Sequence, residues 1–205
     1  MARNFVDYTR SVLKEYQNVC DDVLIISPEC NGFVLCQGTR FSKDPKTSIT
    51  INDLDEDLAD WIINYRKSDK YRRPFDLIIM SRVFEHLPSR EYDWYLYQLN
   101  TIIHPNGKLI ITVPNMDAII SRLKDEFNRP FSNGQKIQKL HFELFSDGRD
   151  VWDFHKTYTS EDAMRYYLNF ESLFTIEDVK HVIIDCHTVP AFLECHLVPT
   201  AKCDI

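Results

Sequence analysis

The stretch FDLIIMSRVFEHLP, residues 75–88, opens with an apolar run and contains a Glu-His pair near its end. The residues from Leu77 to Met80 are all apolar, without alternation, which is typical of a parallel strand covered on both faces. Glu85 and His86 follow the end of this predicted strand. Because ligands of open parallel sheets bind beyond the carboxyl ends of the strands, we expect this pair on the ligand-binding side.

Around this stretch, helix and strand patterns alternate along the chain. Apolar residues at helical spacing predict helices at residues 4–20, 53–65, 89–103, 115–127 and 159–170. Apolar or β-branched runs predict strands at 22–27, 47–53, 75–80 and 108–114, and a closing pair at 174–185 and 191–199. Alternation followed by a strand pair predicts an α/β fold, with a mostly parallel sheet flanked by helices and a C-terminal antiparallel strand pair.

Local signals predict where three of these helices begin or end. The segment HPNG (104–107) ends one helix, because proline cannot continue it and Asn-Gly favours a turn. Asn115 or Asp117 caps the start of the next helix. Thr159 and Asp162 stand at capping-box spacing before the last helix.

Length, charge and composition limit the classes of function. The 205 residues predict one domain, 1–205, with an irregular insertion or lid at 128–157. The net charge of −7 argues against nucleic-acid binding, which needs clustered Lys and Arg. No apolar run is long enough to span a membrane and no signal peptide is recognisable, so we expect a cytoplasmic protein whose six cysteines are free thiols.

The segment FDLIIMSRVFEHLPSREYDWYLYQLNTIIHPNGKLIITVPN, from Phe75 to Asn115, resembles the central part of class I S-adenosylmethionine-dependent methyltransferases. That family typically reads Phe-Asp, an apolar strand, a short link, Glu-His-Leu, a helix, Pro-Gly-Gly, a strand and Val-Pro-Asn. Here Asn106 replaces the first glycine of the Pro-Gly-Gly turn. Downstream, FHKTYTSEDAMRYYLNF (154–170) resembles the family's His-containing loop and following helix. The resemblance covers most of the chain and implies a Rossmann-like fold.

The resemblance also implies a cofactor, S-adenosylmethionine, and residues that would bind it. Ser81 and Arg82 would lie beside its methionine part. Asp53 and Leu54 would border the adenine; alternatively, Asp53 or Asp55 would accept the ribose hydroxyls, which suits a carboxylate because it can take two hydrogen bonds at once. The loop after the first strand would contribute Ser27 and Gly32.

Three residues are predicted to serve the methyl acceptor, which the resemblance implies is a small-molecule or sugar-like compound. His86 would lie near the transferred methyl group, where a neutral imidazole can take a proton from a hydroxyl or amine. His155 and Tyr158 follow the irregular segment and are predicted to face the same pocket. Methyl transfer needs little else, because alignment and desolvation do most of the work.

The loop VLIISPECNGF, residues 23–33, departs from the family pattern. In the family, an acidic residue ends the first strand and a glycine-rich loop follows, since glycine lets the backbone approach the cofactor closely. Here Ile25 or Ile26 stands in place of the acidic residue, and Gly32 is the loop's single glycine. Pro28 removes one backbone donor.

The spacing before Phe75 leaves three interpretations open. The family fits three strands and two helices there, whereas this chain has two clear strands. If SITIND (48–53) is the second strand, the third is lost or rudimentary. If it is the third, the first helix and second strand have collapsed into residues 32–46. A hairpin over 23–37 that turns at Asn31-Gly32 is the remaining interpretation.

The pairs Cys186-His187 and Cys195-His196 offer four zinc-type ligands. Adjacent residues of a strand point to opposite faces, so each pair would be split and no metal is predicted. Two functional hypotheses remain. The first is methyl transfer from S-adenosylmethionine to an O or N atom of the acceptor. The second is a methyltransferase-like protein without catalysis that binds protein partners as a regulatory or assembly component, which the loop favours.

Overall fold

The computed structural model of the chain describes residues 5–16, 19–26, 48–52, 58–68, 74–127, 157–169, 173–183 and 192–200. The helices in these ranges are α1 (Phe5–Tyr16), α2 (Leu58–Lys67), α3 (Tyr92–Ile102), α4 (Met116–Phe127) and α5 (Glu161–Asn169). The strands are β1 (Asp22–Ile26), β2 (Ser48–Asn52), β3 (Phe75–Ser81), β4 (Ile103–Pro114), β5 (Phe174–Val182) and β6 (Phe192–Pro199). Two short 3₁₀ turns, Phe84–His86 and Ser89–Glu91, link β3 to α3. None of the described helices is long and apolar enough to cross a membrane.

The described strands form one sheet in the order β2-β1-β3-β4-β6-β5. β1 pairs in parallel with β2 and β3, and β3 pairs in parallel with β4. β6 pairs antiparallel with both β4 and β5. The predicted α/β, Rossmann-like fold with a mostly parallel sheet and a C-terminal antiparallel pair is therefore confirmed.

The position of β2 bears on the three interpretations of the N-terminal half. Ser48 to Asn52 pair residue by residue with Asp22 to Ile26. The strand beside the first one is the second strand of a doubly wound sheet, so SITIND takes that position. Because β3 occupies the other edge of β1, that strand has no free edge for an antiparallel partner, and the predicted hairpin over 23–37 is wrong.

Apolar side chains cover both faces of the sheet. On one face, α2, α3 and α5 pack over a core that includes Ile78, Met80 and Leu109. On the other face, α1 and α4 pack over a second core that includes Leu77 and Ile79. Successive residues of β3 therefore enter opposite cores, which explains the absence of alternation in its sequence.

The predicted end of α3 is confirmed, but the segment that follows it differs from the predicted turn. Residues 103–107 belong to the beginning of β4, where the pairing shifts from Phe75↔Ile103 to Leu77↔Lys108. The extra residues of β4 bulge out of the ladder. A Cβ atom on Gly107 would lie 2.8 Å from Ile103 Cγ1 and 2.9 Å from the His104 carbonyl oxygen, so close backbone approach requires glycine here.

One of the two predicted helix caps is confirmed and the other is wrong. Asn115 caps α4, because its Oδ1 accepts the Ala118 N–H across 3.2 Å. Ser160, rather than Thr159, caps α5: its Oγ accepts the Ala163 N–H across 3.1 Å. Thr159 is unavailable for this role, since its hydroxyl donates to the carbonyl oxygen of Pro114 at 2.6 Å.

Candidate functional site

The strand order reverses between β1 and β3, which creates a crevice at the carboxyl edge of the sheet. From β1 the chain continues to β2 on one side, whereas β3 and β4 lie on the other. Ligands of doubly wound sheets bind at such a switch point. Ser81 is the last residue of β3 and Arg82 follows it directly, so both predicted cofactor residues lie at this edge.

Ser81 presents a buried hydroxyl group at the switch point. The residue is 3% exposed, and its Oγ has no hydrogen-bond partner among the described residues. Burying a hydroxyl without a partner costs free energy, so such groups are rare in folded proteins. A polar group of a bound ligand would satisfy it.

Arg82 has a backbone conformation that L-residues seldom adopt. Its φ angle is 57°, in the left-handed region. The Arg82 N–H donates to the Thr112 carbonyl oxygen across 2.9 Å, which holds the residue in this conformation. Strained residues of this kind cluster at ligand-binding sites, because only the surrounding structure keeps them in place.

His86 lies on the 3₁₀ turn that follows. Its backbone N–H donates to the Val83 carbonyl oxygen at 3.0 Å, and its side chain is half-buried. Glu85 beside it is fully buried. The two residues of the Glu-His pair therefore face different environments.

The segment Thr157–Thr159 joins the His86 turn to the end of β4. The Thr157 N–H donates to the Glu85 carbonyl oxygen at 3.3 Å, and its hydroxyl donates to the Leu87 carbonyl oxygen at 3.0 Å. The Met116 N–H donates to the Thr159 carbonyl oxygen at 2.9 Å. These bonds place Tyr158 between the turn after β3 and the start of α4.

The Tyr158 hydroxyl donates to Asp117 Oδ1 across 2.5 Å. The ring is 48% exposed at the edge of the sheet. Partial burial, followed by the hydrogen bond to Asp117 and the charge of that carboxylate, raises the pKa of Tyr158 to about 12. At neutral pH this phenol is therefore protonated, and its proton lies in the hydrogen bond to Asp117.

An open cleft of about 580 Å³ lies beside this pair, between the first turns of α4 and α5 and the end of β5. β5 runs parallel to β4, so both strands reach the cleft with their carboxyl ends. The described residues that line it are Asn115, Asp117, Ala118, Glu161, Asp162 and His181.

Hydrogen bonds fix the orientation of His181 within this cleft. Asn115 Oδ1 accepts the Ala118 N–H, so its Nδ2 faces His181 Nδ1 at 3.3 Å and donates to it. His181 Nε2 then carries the proton and donates to Glu161 Oε2 at 2.8 Å. Hydrogen bonds from His181 and Arg165 lower the pKa of Glu161, so this carboxylate is charged at neutral pH.

The predicted site residues divide into two groups. Ser81, Arg82, His86 and Tyr158 are described and lie along the carboxyl edge of the sheet. The remaining predicted residues, Ser27, Gly32, Asp53, Leu54, Asp55 and His155, lie outside the described residues.

The sequence analysis did not assign the cleft residues to a site. Asn115, Asp117 and Asp162 were interpreted as helix-start residues, although Asn115 directly follows a buried strand, which is a signal for the ligand-binding edge. Glu161 and His181 carried no such signal, because the sequence does not show that the closing strand pair lies beside β4.

Of the two Cys-His pairs, the structure describes Cys195-His196. Within the described part of the chain, no group of three or more His, Cys, Asp and Glu side chains could hold a metal ion. Cys195 is buried in the core beneath α2, α3 and α5. The adjacent His196 lies on the opposite face, where it contacts Tyr16 of α1. Cys186 and His187 lie outside the described residues.

Comparison with known proteins gives matches in structure but not in sequence. No protein-family model matches the sequence. No curated protein matches it either. Solved structures do match over nearly the whole chain.

Three of these structures are methyltransferases. N-methyltransferase NodS from Bradyrhizobium japonicum is 12% identical, with 95% of this chain and 96% of that chain covered at a TM-score of 0.51. The plantazolicin methyltransferase BpumL, solved with S-adenosylhomocysteine, is 14% identical, with 96% and 84% covered and a TM-score of 0.55. The Burkholderia thailandensis 1,6-didemethyltoxoflavin-N1-methyltransferase, with that compound and S-adenosylhomocysteine bound, is 14% identical, with 95% and 78% covered and a TM-score of 0.56.

This chain has the fold of class I S-adenosylmethionine-dependent methyltransferases. The likeness extends over about 95% of its length. At these identities the match establishes the fold, and the chemistry has to be argued from the site.

Proposed function

We propose that this protein transfers a methyl group from S-adenosylmethionine to an oxygen or nitrogen atom of a small-molecule or sugar-like acceptor. The observation that carries the proposal is the buried hydroxyl of Ser81 at the switch point, which has no hydrogen-bond partner among the described residues. The methyltransferase fold and the strained backbone of Arg82 beside this hydroxyl support it. Ser81 and Arg82 both lie at the carboxyl end of β3.

The cofactor would be held by residues of three strand ends. Ser81 and Arg82 would contact its methionine part after β3. Ser27 and Gly32 would approach it after β1, and residues 53–55 would bind the adenine or ribose after β2. When bound, S-adenosylmethionine supplies a methyl group that its sulfonium already activates.

The acceptor would bind on the β4 side of the switch point, where the cleft opens. His86 would take the proton that an acceptor hydroxyl or amine loses, as a half-buried imidazole can at neutral pH. The Tyr158 hydroxyl donates its proton to Asp117, so its oxygen would accept a hydrogen bond from the acceptor molecule. His155 would complete the pocket from the same loop.

Calorimetric titration with S-adenosylhomocysteine, comparing the wild type with Ser81→Ala, tests the cofactor site. The wild-type protein should bind at micromolar concentration. Ser81→Ala should bind at least fivefold more weakly, because about 1 kcal/mol of hydrogen bonding is lost. It should nevertheless melt no lower than the wild type, since its hydroxyl has no partner in the described structure.

Ser68→Ala is the matched control. The Ser68 hydroxyl donates to the Tyr65 carbonyl oxygen at 2.7 Å, just after the C-terminus of α2. This substitution should leave binding unchanged. If the folded wild-type protein gives no heat with the ligand at high concentration, the methyltransferase proposal fails and the second hypothesis, a scaffold for protein partners, takes its place.

A further inference from the structure

A buried group of polar side chains lies beneath α1, on the face of the sheet that α1 and α4 cover. It joins Tyr8 of α1 to Thr112 of β4 and to Glu194 and His196 of β6. Glu194 is 5% exposed and His196 is 4% exposed. Buried ionisable groups are costly, so their retention needs an account.

The direction of each hydrogen bond in this group follows from its donors. A carboxylate can only accept, so the Tyr8 hydroxyl donates to Glu194 Oε2 and His196 Nε2–H donates to Glu194 Oε1. Since the Tyr8 hydroxyl has a single proton, Thr112 Oγ1, 3.1 Å away, must donate to the Tyr8 oxygen. Burial alone would raise the pKa of Glu194, but the hydrogen bonds from His196 and Tyr8 outweigh it and lower that pKa.

Thr112 connects this group to the strand end at the switch point. It pairs with Ser81 across β3 and β4, in the register that ends β3. Its carbonyl oxygen accepts the N–H of Arg82, the residue in the left-handed conformation. Thr112 thus binds α1 through its side chain and the Ser81-Arg82 strand end through its backbone.

We propose that Tyr8 is a positioning residue for the cofactor end of the site, acting through Thr112 on the backbone of Arg82. This inference rests on the proposed function. Tyr8 fixes the side chain of Thr112, and with it the peptide group whose carbonyl oxygen holds the Arg82 N–H. Glu194 and His196 fix Tyr8 in turn, which accounts for a buried ionisable pair beneath a helix that apolar packing also holds.

A merely structural role for Tyr8 makes different predictions. If Tyr8 only attached α1 to the sheet, its loss would lower the melting temperature and leave the affinity of the folded protein unchanged. A positioning role changes the affinity, and it changes the Arg82 amide selectively. Hydrogen exchange of that amide reports the Arg82-Thr112 bond directly, without a ligand.

Four variants separate the two roles: Tyr8→Phe, Thr112→Val, their combination, and Thr112→Ser. Affinity for S-adenosylhomocysteine is measured by calorimetry well below the melting temperature of the least stable variant. Tyr8→Phe and Thr112→Val should each weaken binding about fivefold, as expected for one lost hydrogen bond. The combination should weaken it no further, because both changes remove the same interaction. Thr112→Ser keeps the donor and should bind like the wild type.

Tyr16→Phe is the matched control on the same helix. The Tyr16 hydroxyl lies 3.4 Å from His196 Nδ1, and within the described part of the chain it makes no hydrogen bond to Thr112. Its loss should leave both the affinity and the exchange of the Arg82 amide unchanged. In Tyr8→Phe and Thr112→Val, that amide should exchange faster while the amides of Ile78 and Ile79 keep their protection.

Two results would overturn the inference. One is unchanged affinity and unchanged Arg82 exchange in Tyr8→Phe, whatever its melting temperature. The other is an additive loss in the combined variant, which would show that Tyr8 and Thr112 act separately. If the wild type does not bind the ligand at all, the proposed function fails, and the Arg82 amide alone still decides whether Tyr8 positions this strand end.

Discussion

The hydroxyl of Thr159 donates a hydrogen bond to the carbonyl oxygen of Pro114 across 2.6 Å, and the bond is buried. It connects the loop that carries Tyr158 to the end of β4. The Met116 N–H donates to the Thr159 carbonyl oxygen at 2.9 Å, so two hydrogen bonds join the end of β4 to this loop. The edge of the cleft therefore depends on Thr159 through its hydrogen bonds to the backbone of Pro114 and Met116.

Thr159→Val should lower the free energy of unfolding by about 1–3 kcal/mol, because it leaves the buried Pro114 carbonyl oxygen without its donor. Urea denaturation followed by circular dichroism measures the change. Thr175→Val is the control, since that hydroxyl is exposed and lies 3.4 Å from Thr200 Oγ1. An equal, small effect at both positions would contradict a stabilising role for the Thr159 bond.

Gly107→Ala should lower the free energy of unfolding by about 1–3 kcal/mol, because the new methyl group overpacks the bulge of β4. The added Cβ would lie 2.8 Å from Ile103 Cγ1 and 3.0 Å from the Phe75 carbonyl oxygen. Thermal and urea unfolding check the loss. The neighbouring Asn106 is exposed, so Asn106→Ala should have little effect, and similar stability of both variants would show that the bulge tolerates a side chain.

Comparison of Arg82→Ala with Arg82→Gly isolates the backbone strain at the switch point. Both variants lack the side chain, but glycine adopts a φ of 57° without a steric penalty. Arg82→Gly should therefore be more stable than Arg82→Ala by about 1 kcal/mol. At the exposed Arg90, within a 3₁₀ turn, the order should reverse. The same order at both positions would count against strain at Arg82.

The pH dependence of Tyr158 tests its bond to Asp117. Its pKa is raised from 10.0 to about 12, so its contribution to stability is fully present below pH 10 and is lost as the pH rises through 12. A carbon-13 label on the tyrosine rings, followed by NMR, should show Tyr158 still protonated at pH 11. Asp117→Asn should lower this pKa towards its ordinary value, whereas Asp162→Asn should not. Titration near pH 10 in the wild type would rule out the bond.

Much of the fold was predictable because local patterns and core patterns agree. The apolar run from Leu77 to Met80 predicted a strand covered on both faces, and the structure buries it between two cores. Asn115 was one of two caps proposed for α4, and its side chain does cap that helix. Such predictions need only the neighbours along the chain, which the sequence displays.

Other features depended on partners far away in the sequence. The hydroxyl of Thr159 was predicted to cap α5, but the buried carbonyl oxygen of Pro114 takes it, and Ser160 caps the helix instead. The Asn106-Gly107 turn became a bulge because β4 begins pairing with Phe75 earlier than expected. In both cases a buried backbone group needed a hydrogen-bond partner, and patterns along the sequence do not show which distant residue becomes that partner.

The sequence by itself determined the order of the strands and helices along the chain, the residues at the end of β3, and the resemblance to methyltransferases. Only the tertiary structure decided that β2 lies beside β1, that the buried Ser81 hydroxyl has no partner among the described residues, and that Asn115, Glu161 and His181 line one cleft. The physical reason is that periodicity records which face of an element is buried. Which elements then become neighbours depends on the packing of the whole sheet, and the site is formed by those neighbours.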